Sequence, residues 1–269
     1  MNYDHELKIA LEAAEVAGRF LREQYARFQP IPNAPSNIST AADCESQEII
    51  LQQLAKHFPN DAFCAEESTP TLVQVSQTGN RLWIIDPIDG TRGFARKNGE
   101  FSVMIAFVDR GRVAVGGVLE PALDRLTYAV TAGGCWRRDG TEKQASPCRV
   151  STVSDLTRAT VTLSRSHQSS PPSELHGLKP ARILTTYSAG IKLAQVARGE
   201  ADIYLNTYPA FHDWDICAGH LLVTEAGGTV TGLAGQELRY GLPHALQTFG
   251  LLATNGRLHG PALAVLKTH

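Results

Sequence analysis

Leu7, Leu11, Ala14, Ala17 and Leu21 recur at helical spacing, so residues 4–27 are expected to form one amphipathic helix. The stretch QPIPNAPSN at 29–37 ends it, because proline cannot continue a helix. A second helix is expected near 43–57, with Ile49, Ile50, Leu54 and Ala55 on one face and Thr40 and Asp43 at its entrance. Short runs of β-branched and aromatic residues follow at 81–86, 101–109, 112–120 and 126–132, which predict strands. Asp109-Arg110-Gly111 and Ala132-Gly133-Gly134 read as hairpin turns between them. Beyond about 150 the pattern alternates: strand at 159–164, helix at 187–199, strand at 201–205, then a helix at 215–228 closed by Gly227 or Gly228. Such alternation predicts a layered α/β unit. The polar stretch TEKQASPCRVST marks the expected boundary, giving domains 1–150 and 151–269.

Composition narrows the function classes. The chain has 269 residues, 25 Lys plus Arg against 27 Asp plus Glu, and a net charge of −2. No basic excess exists to cover a nucleic acid or an anionic membrane, so neither is an expected partner. Five cysteines (Cys44, Cys64, Cys135, Cys148 and Cys217) with no C-x-x-C spacing argue against a disulfide framework or a thiolate zinc site. They point to a reducing compartment. The N-terminal stretch carries Asp4, Glu6, Lys8, Glu12 and Glu15 and lacks a signal-peptide core, and no apolar run reaches the ~18 residues of a membrane span. A cytoplasmic protein is the expectation.

The chemistry concentrates in WIIDPIDGTRGF at 83–94. Asp86 is read as ending an apolar strand, Pro87 as forcing a turn, and Asp89 as following on it. Two carboxylates on one turn, with the Ile88 carbonyl between them, offer a hard cation the oxygen ligands it needs. Gly90 permits close backbone approach, and Thr91 offers a hydroxyl where a helix can begin. Three other acidic features have ordinary explanations on their own. Thr40 and Asp43 suit a helix cap, Glu66-Glu67 a solvated loop, and Asp213-Trp214-Asp215 another cap. Glu66-Glu67 and Asp213-Trp214-Asp215 together with 83–91 read as a Mg²⁺ site assembled from distant segments, the recurring device of phosphate-ester hydrolysis.

With E-E at 66–67, D-P-x-D-G-T at 86–91, W-D at 214–215, E-A-G-G at 225–228 and S-T-A-A-D at 39–43, the chain resembles the inositol monophosphatase-like, lithium-sensitive phosphatases along nearly its whole length. The resemblance implies an α-β-α-β-α sandwich with the site between the two domains. It implies Glu66, Asp86, the Ile88 carbonyl and Asp89 on one Mg²⁺, Asp86, Asp89 and Asp215 on a second, and Glu66 serving the outer part, two or three ions in all. Gly90 and Thr91 would meet the phosphate, Thr91 and Asp43 would activate the attacking water, and Glu67 is the next candidate for that task.

F-x-x-x-N-G-E-F-x-V at 94–103, S-R-S-H at 164–167 and Lys192 in SAGIKLA are similar to the 3′(2′),5′-bisphosphate nucleotidase branch, which acts on 3′-phosphoadenosine 5′-phosphate in sulfur assimilation. That likeness puts Ser164, Arg165, Ser166, His167, Ser188 and Lys192 along the substrate, with Arg165 and Lys192 meeting a second phosphate. Asn37, Ser188-Ala189-Gly190, Cys217 and the segment LNTYPAFHDWD depart from the branch pattern. The alternative is an enzyme for inositol phosphate, histidinol phosphate or a sugar phosphate. Either reading gives a small phosphate ester as partner and a monomer or homodimer.

Overall fold

The computed structural model describes residues 2–140, 142, 144–167, 172–241 and 245–267, with the side chain of His167 outside that description. Two helices open the chain, α1 (Asp4–Arg27) and α2 (Ala41–His57). Strand β1 (Ala62–Ala65), the short helix α3 (Pro70–Gln74), strand β2 (Arg81–Asp89) and the short helix α4 (Thr91–Ala95) follow. Strands β3 (Ser102–Asp109), β4 (Arg112–Glu120), β5 (Arg125–Val130), β6 (Gly134–Asp139) and β7 (Ser146–Pro147) complete a seven-stranded sheet in sequence order. Only β1 and β2 are parallel in it.

The second half contributes β8 (Thr160–Ser164), α5 (Ser173–Leu178), β9 (Arg182–Thr186), α6 (Ala189–Ala197), β10 (Ile203–Asn206), β11 (Phe211–His212), α7 (Asp213–Glu225), β12 (Thr229–Thr231), β13 (Leu246–Gln247), β14 (Leu251–Thr254) and α8 (His259–Leu266). Five of these strands form a sheet in the order β12-β14-β10-β8-β9, and β11 pairs with β13.

Five layers result. Helices α1 and α2 cover one face of the larger sheet, and α6 and α7 lie between the two sheets. Helices α5 and α8 close the outer face of the smaller one. Strand β2 shows why its sequence runs apolar without a break. Trp83 and Ile85 pack with the α1–α2 core, while Leu82 and Ile84 pack with the α6–α7 core. A strand buried on both faces shows no alternation to read.

One expectation changes here. The strand does not stop at Asp86 and Pro87 does not make a turn; β2 continues to Asp89 through a bulge. Asp86 pairs with Met104 and Asp89 with Ser102, so two residues of β2 oppose one of β3. Proline suits such a place because it has no N–H for the ladder. Met104 and Ser102 share one face of β3, so the bulge aims both carboxylates into the same space, toward α6 and α7.

Candidate active site

That space is a cavity of about 470 Å³ whose wall includes Glu66, Asp86, Asp89, Asp215, the Ile88 backbone and Thr91. Sheet register supplies the first juxtaposition. Ala65 of β1 lies beside Ile85 of β2 in parallel, so the next residues along, Glu66 and Asp86, come together, close enough for their charges to act on each other. Asp215 arrives from the first turn of α7, where His212 N donates to its Oδ2 at 2.6 Å. The helix cap and the site carboxylate are therefore one residue.

Asp43 is doubly employed in the same way. It completes the capping box of α2, accepting from Thr40 N at 2.8 Å and Thr40 Oγ1 at 2.7 Å on Oδ2. Its Oδ1 faces Thr91 Oγ1 at 2.9 Å. Thr91 Oγ1 also lies 3.0 Å from the Ile88 carbonyl, so one hydroxyl proton has two acceptors. Gly90 makes the turn into α4 with φ +88°, and a Cβ there would sit 2.7 Å from Glu100 O. Only glycine fits such a left-handed turn against a neighbouring backbone.

The electrostatics are those of crowded anions. Burial raises Asp86 well above the ordinary carboxylate range, and the charges of Glu66 and Asp89 add to it. Burial also raises Asp215 to about 7, against the bond from His212 N and with repulsion from Asp89. Glu66, at the open rim, is raised by crowding protein and then by Asp215. Burial lifts Asp43, against its bonds from Thr40 and Thr91. A buried group of carboxylates is stable as charged species only with a cation among them. Among the described residues no three His, Cys, Asp or Glu side chains already converge in ligand geometry. The donors on offer are nevertheless four carboxylates and a backbone carbonyl, an all-oxygen set that fits a hard divalent ion.

Asp89 is held differently from the sequence expectation of a simple ligand. Its Oδ1 accepts from Ala189 N at 3.0 Å. Its Oδ2 accepts from Gly190 N at 2.7 Å, Ser102 Oγ at 3.2 Å and the Ser188 hydroxyl. It thus pins the N-terminus of α6 to the larger sheet. Ser188 is fully buried, bonded to Asp89 and capping α6 through Ile191 N at 2.9 Å, so its hydroxyl is turned away from any substrate. Gly190 packs where a Cβ would press on Met104 Sδ at 2.7 Å. Glu67 also turns aside. Its carboxylate accepts from Ser39 Oγ at 2.7 Å, and Gln47 holds its backbone from both sides.

The expected nucleotide contacts divide. Ser164 and Ser166 line the cavity, whereas Arg165 forms a two-point ion pair with Glu100 in an adjoining recess. His167 closes the turn after β8, its side chain outside the described residues. Lys192 edges the cavity but is 1% exposed, and its Nζ donates to Thr186 O and Tyr187 O at 3.1 Å each. Burial lowers this ammonium to about 8. In the structure it holds the 186–187 backbone at the edge of the cavity.

Lys192→Ala should therefore cost about 2–3 kcal/mol of stability by orphaning two carbonyls, a drop of roughly 5–10 °C in melting temperature. It should lower turnover of mono- and bisphosphate substrates by similar factors. Melting curves and paired kinetics check this; a loss confined to bisphosphates would return Lys192 to the substrate.

Pattern reading passed over Tyr187, which lines both cavity and recess; Asn206, Tyr208 and Phe211 of the divergent segment LNTYPAFHDWD also line the cavity. Tyr187 carries no motif; the Arg165–Glu100 ion pair beside it marks its place.

The family model described as the inositol monophosphatase family matches residues 2–269. This chain belongs to the inositol monophosphatase family. It is accordingly a metal-dependent phosphatase acting on a small phosphate ester. Among curated relatives of the family, the 3′(2′),5′-bisphosphate nucleotidase CysQ of Escherichia coli K12 is 30% identical over 233 residues, 85% of this chain and 91% of the relative. The fructose-1,6-bisphosphatase/inositol-1-monophosphatase of Thermotoga maritima is 34% identical over 238 residues, 86% of each chain. Among solved structures, the inositol monophosphatase of Anabaena superposes with a TM-score of 0.80 at 30% identity, covering 100% of this chain and 97% of that one. The layered α/β sandwich expected from the sequence is thus the architecture of the inositol monophosphatase family. No helix among the described residues is long and apolar enough to cross a membrane.

Proposed function

We propose that this phosphatase is a Mg²⁺-dependent 3′(2′),5′-bisphosphate nucleotidase, converting 3′-phosphoadenosine 5′-phosphate to AMP and phosphate. The observation that carries the reading is a cavity lined by carboxylates and Thr91, itself bonded to Asp43, with a recess of Arg92, Arg96 and Arg165 adjoining it. In this reading residues 1–150 supply Glu66, Asp86, Ile88 and Asp89, and residues 151–269 supply Asp215 and the substrate-facing edge. Glu66, Asp86, Asp89, Asp215 and the Ile88 carbonyl would hold two or three Mg²⁺ ions, and the bound metal would supply acidified water and charge neutralisation at the scissile phosphate.

Thr91 and Asp43 do the proton work. Water placed against Thr91 Oγ1 attacks phosphorus, giving one proton to Thr91 Oγ1 as the hydroxyl gives its own to Asp43 Oδ1. The P–O ester bond breaks, and the leaving oxygen takes a proton from solvent. Burial suits Asp43 to this, because a carboxylate lifted above its ordinary range is a stronger base. Gly90 leaves room beside Thr91 for the phosphate oxygens.

A phosphatase of inositol or sugar phosphates is the second reading, favoured by the Thermotoga relative at 34% identity. Phosphate release from adenosine 3′,5′-bisphosphate, inositol 1-phosphate and fructose 1,6-bisphosphate in Mg²⁺ separates the two. The nucleotide is expected to have at least tenfold the kcat/KM of the others. Faster cleavage of inositol 1-phosphate would transfer the assignment to the second reading.

A further inference from the structure

Beside the carboxylate cavity lies a recess around the ring of Tyr187, and Arg92, Ser166 and Tyr187 line both, so the two are continuous. Three guanidinium groups surround that ring, with Arg92 at 5.2 Å and Arg96 and Arg165 at 5.8 Å from its centroid. They are not equivalent. Arg165 is neutralised by its two-point pair with Glu100 and tied to Thr185 O at 3.0 Å. Glu100 also accepts from Tyr187 N at 3.2 Å, so this pair fixes the ring.

Arg92 and Arg96 have neutral partners instead. Arg92 donates to Ala34 O at 3.1 Å and Ser166 Oγ at 3.3 Å, and Arg96 donates to the Tyr187 hydroxyl at 2.8 Å. They stand four residues apart on α4 and its cap, Arg92 directly after Thr91, and so share a face. Two positive charges thus remain uncompensated by their own bonds, next to a wall of carboxylates.

We infer that Arg92 and Arg96, framed by Tyr187 and the Arg165–Glu100 pair, form a second anion subsite for the remote phosphate of a bisphosphorylated small molecule. This rests on the reading of the adjoining cavity as the phosphatase site. The planar guanidinium fork matches phosphate oxygens, and bonds between charged partners are the strong ones. Polarity also dictates direction. The carboxylate wall repels any phosphate not neutralised by metal, whereas the arginine recess accepts one directly. The subsite would select bisphosphates over monophosphates of the same skeleton, whether nucleotide or sugar.

The test compares two substrate pairs in Mg²⁺: adenosine 3′,5′-bisphosphate with adenosine 3′-monophosphate, and fructose 1,6-bisphosphate with fructose 1-phosphate. For whichever bisphosphate the wild-type enzyme prefers, Arg96→Ala should lower the bis-to-mono ratio of kcat/KM by tenfold or more, chiefly through KM. Arg96→Lys should restore part of that ratio. Arg96 is exposed, so its melting temperature should stay within about 2 °C, which separates binding from folding. Equal losses on both members of a pair, or a wild-type enzyme without preference for either bisphosphate, overturn the subsite. An arginine effect seen with the fructose pair alone supports the subsite and overturns the nucleotide reading. Preferred nucleotide turnover with an unchanged ratio in Arg96→Ala does the reverse.

Discussion

Asp86→Asn is expected to reduce phosphate release by at least about a thousandfold while leaving the metal-free protein as stable as the wild type or more so. Asp86 is 2% exposed and crowded by Glu66, Asp89 and Asp215. Asparagine keeps the shape and one oxygen but removes the charge on which a divalent ion depends. An electrostatic contribution of several kcal/mol corresponds to roughly three decades or more in rate. The same replacement relieves repulsion among buried carboxylates when no ion is bound, so melting in chelator should not fall. Ordinary turnover by this variant, or wild-type turnover that survives chelation, would sink the metal assignment.

Thr91→Ala and Asp43→Asn should each lower kcat by about 10²–10⁴-fold, the usual worth of a positioned proton acceptor. The two residues share one hydrogen bond, 48 positions apart in sequence, between the entrance of α2 and the start of α4. The double variant should be little worse than either single one, because residues that act as a unit are not additive. Thr91→Ser should recover most of the rate, since the hydroxyl is what matters. Asp43→Asn also touches the capping box of α2, with a cost of about 1 kcal/mol, so melting is measured beside the kinetics. Near-normal turnover in both single variants would mean that another group takes the proton.

How much of this was legible in the chain differs from residue to residue. The stripe Leu7 to Leu21 and the glycine stop at Gly227 gave α1 and the end of α7 directly, because those helices are set by local periodicity and capping. The acidic clusters were legible as chemistry, but that Glu66 meets Asp86 is a matter of parallel strand register, which no local pattern encodes. The bulge at Pro87 was misread as a turn because β2 is covered on both faces and its alternation is hidden. Lys192 is ambiguous in the sequence for a related reason. A lysine in an apolar run can be a phosphate ligand or a clamp on buried carbonyls, and only the fold decides which. Arg92 and Arg96 look like ordinary surface charge until Tyr187 is brought beside them from 91 residues away.

The bulge in β2 has a consequence for how the site responds to mutation. By adding one residue between Asp86 and Asp89 it sets Pro87 and Ile88 outside the paired register with β3, and side chains meet both carbonyls: Ser46 Oγ at 3.2 Å and Thr91 Oγ1 at 3.0 Å. The Ile88 side chain meanwhile points the other way, into the core beneath α1 and α2. Exchanging it for valine or leucine changes packing and leaves the oxygen where it was. One of the site's five donor groups is therefore silent to any scan that replaces side chains, and only a change in chain length within the D-P-x-D segment can move it.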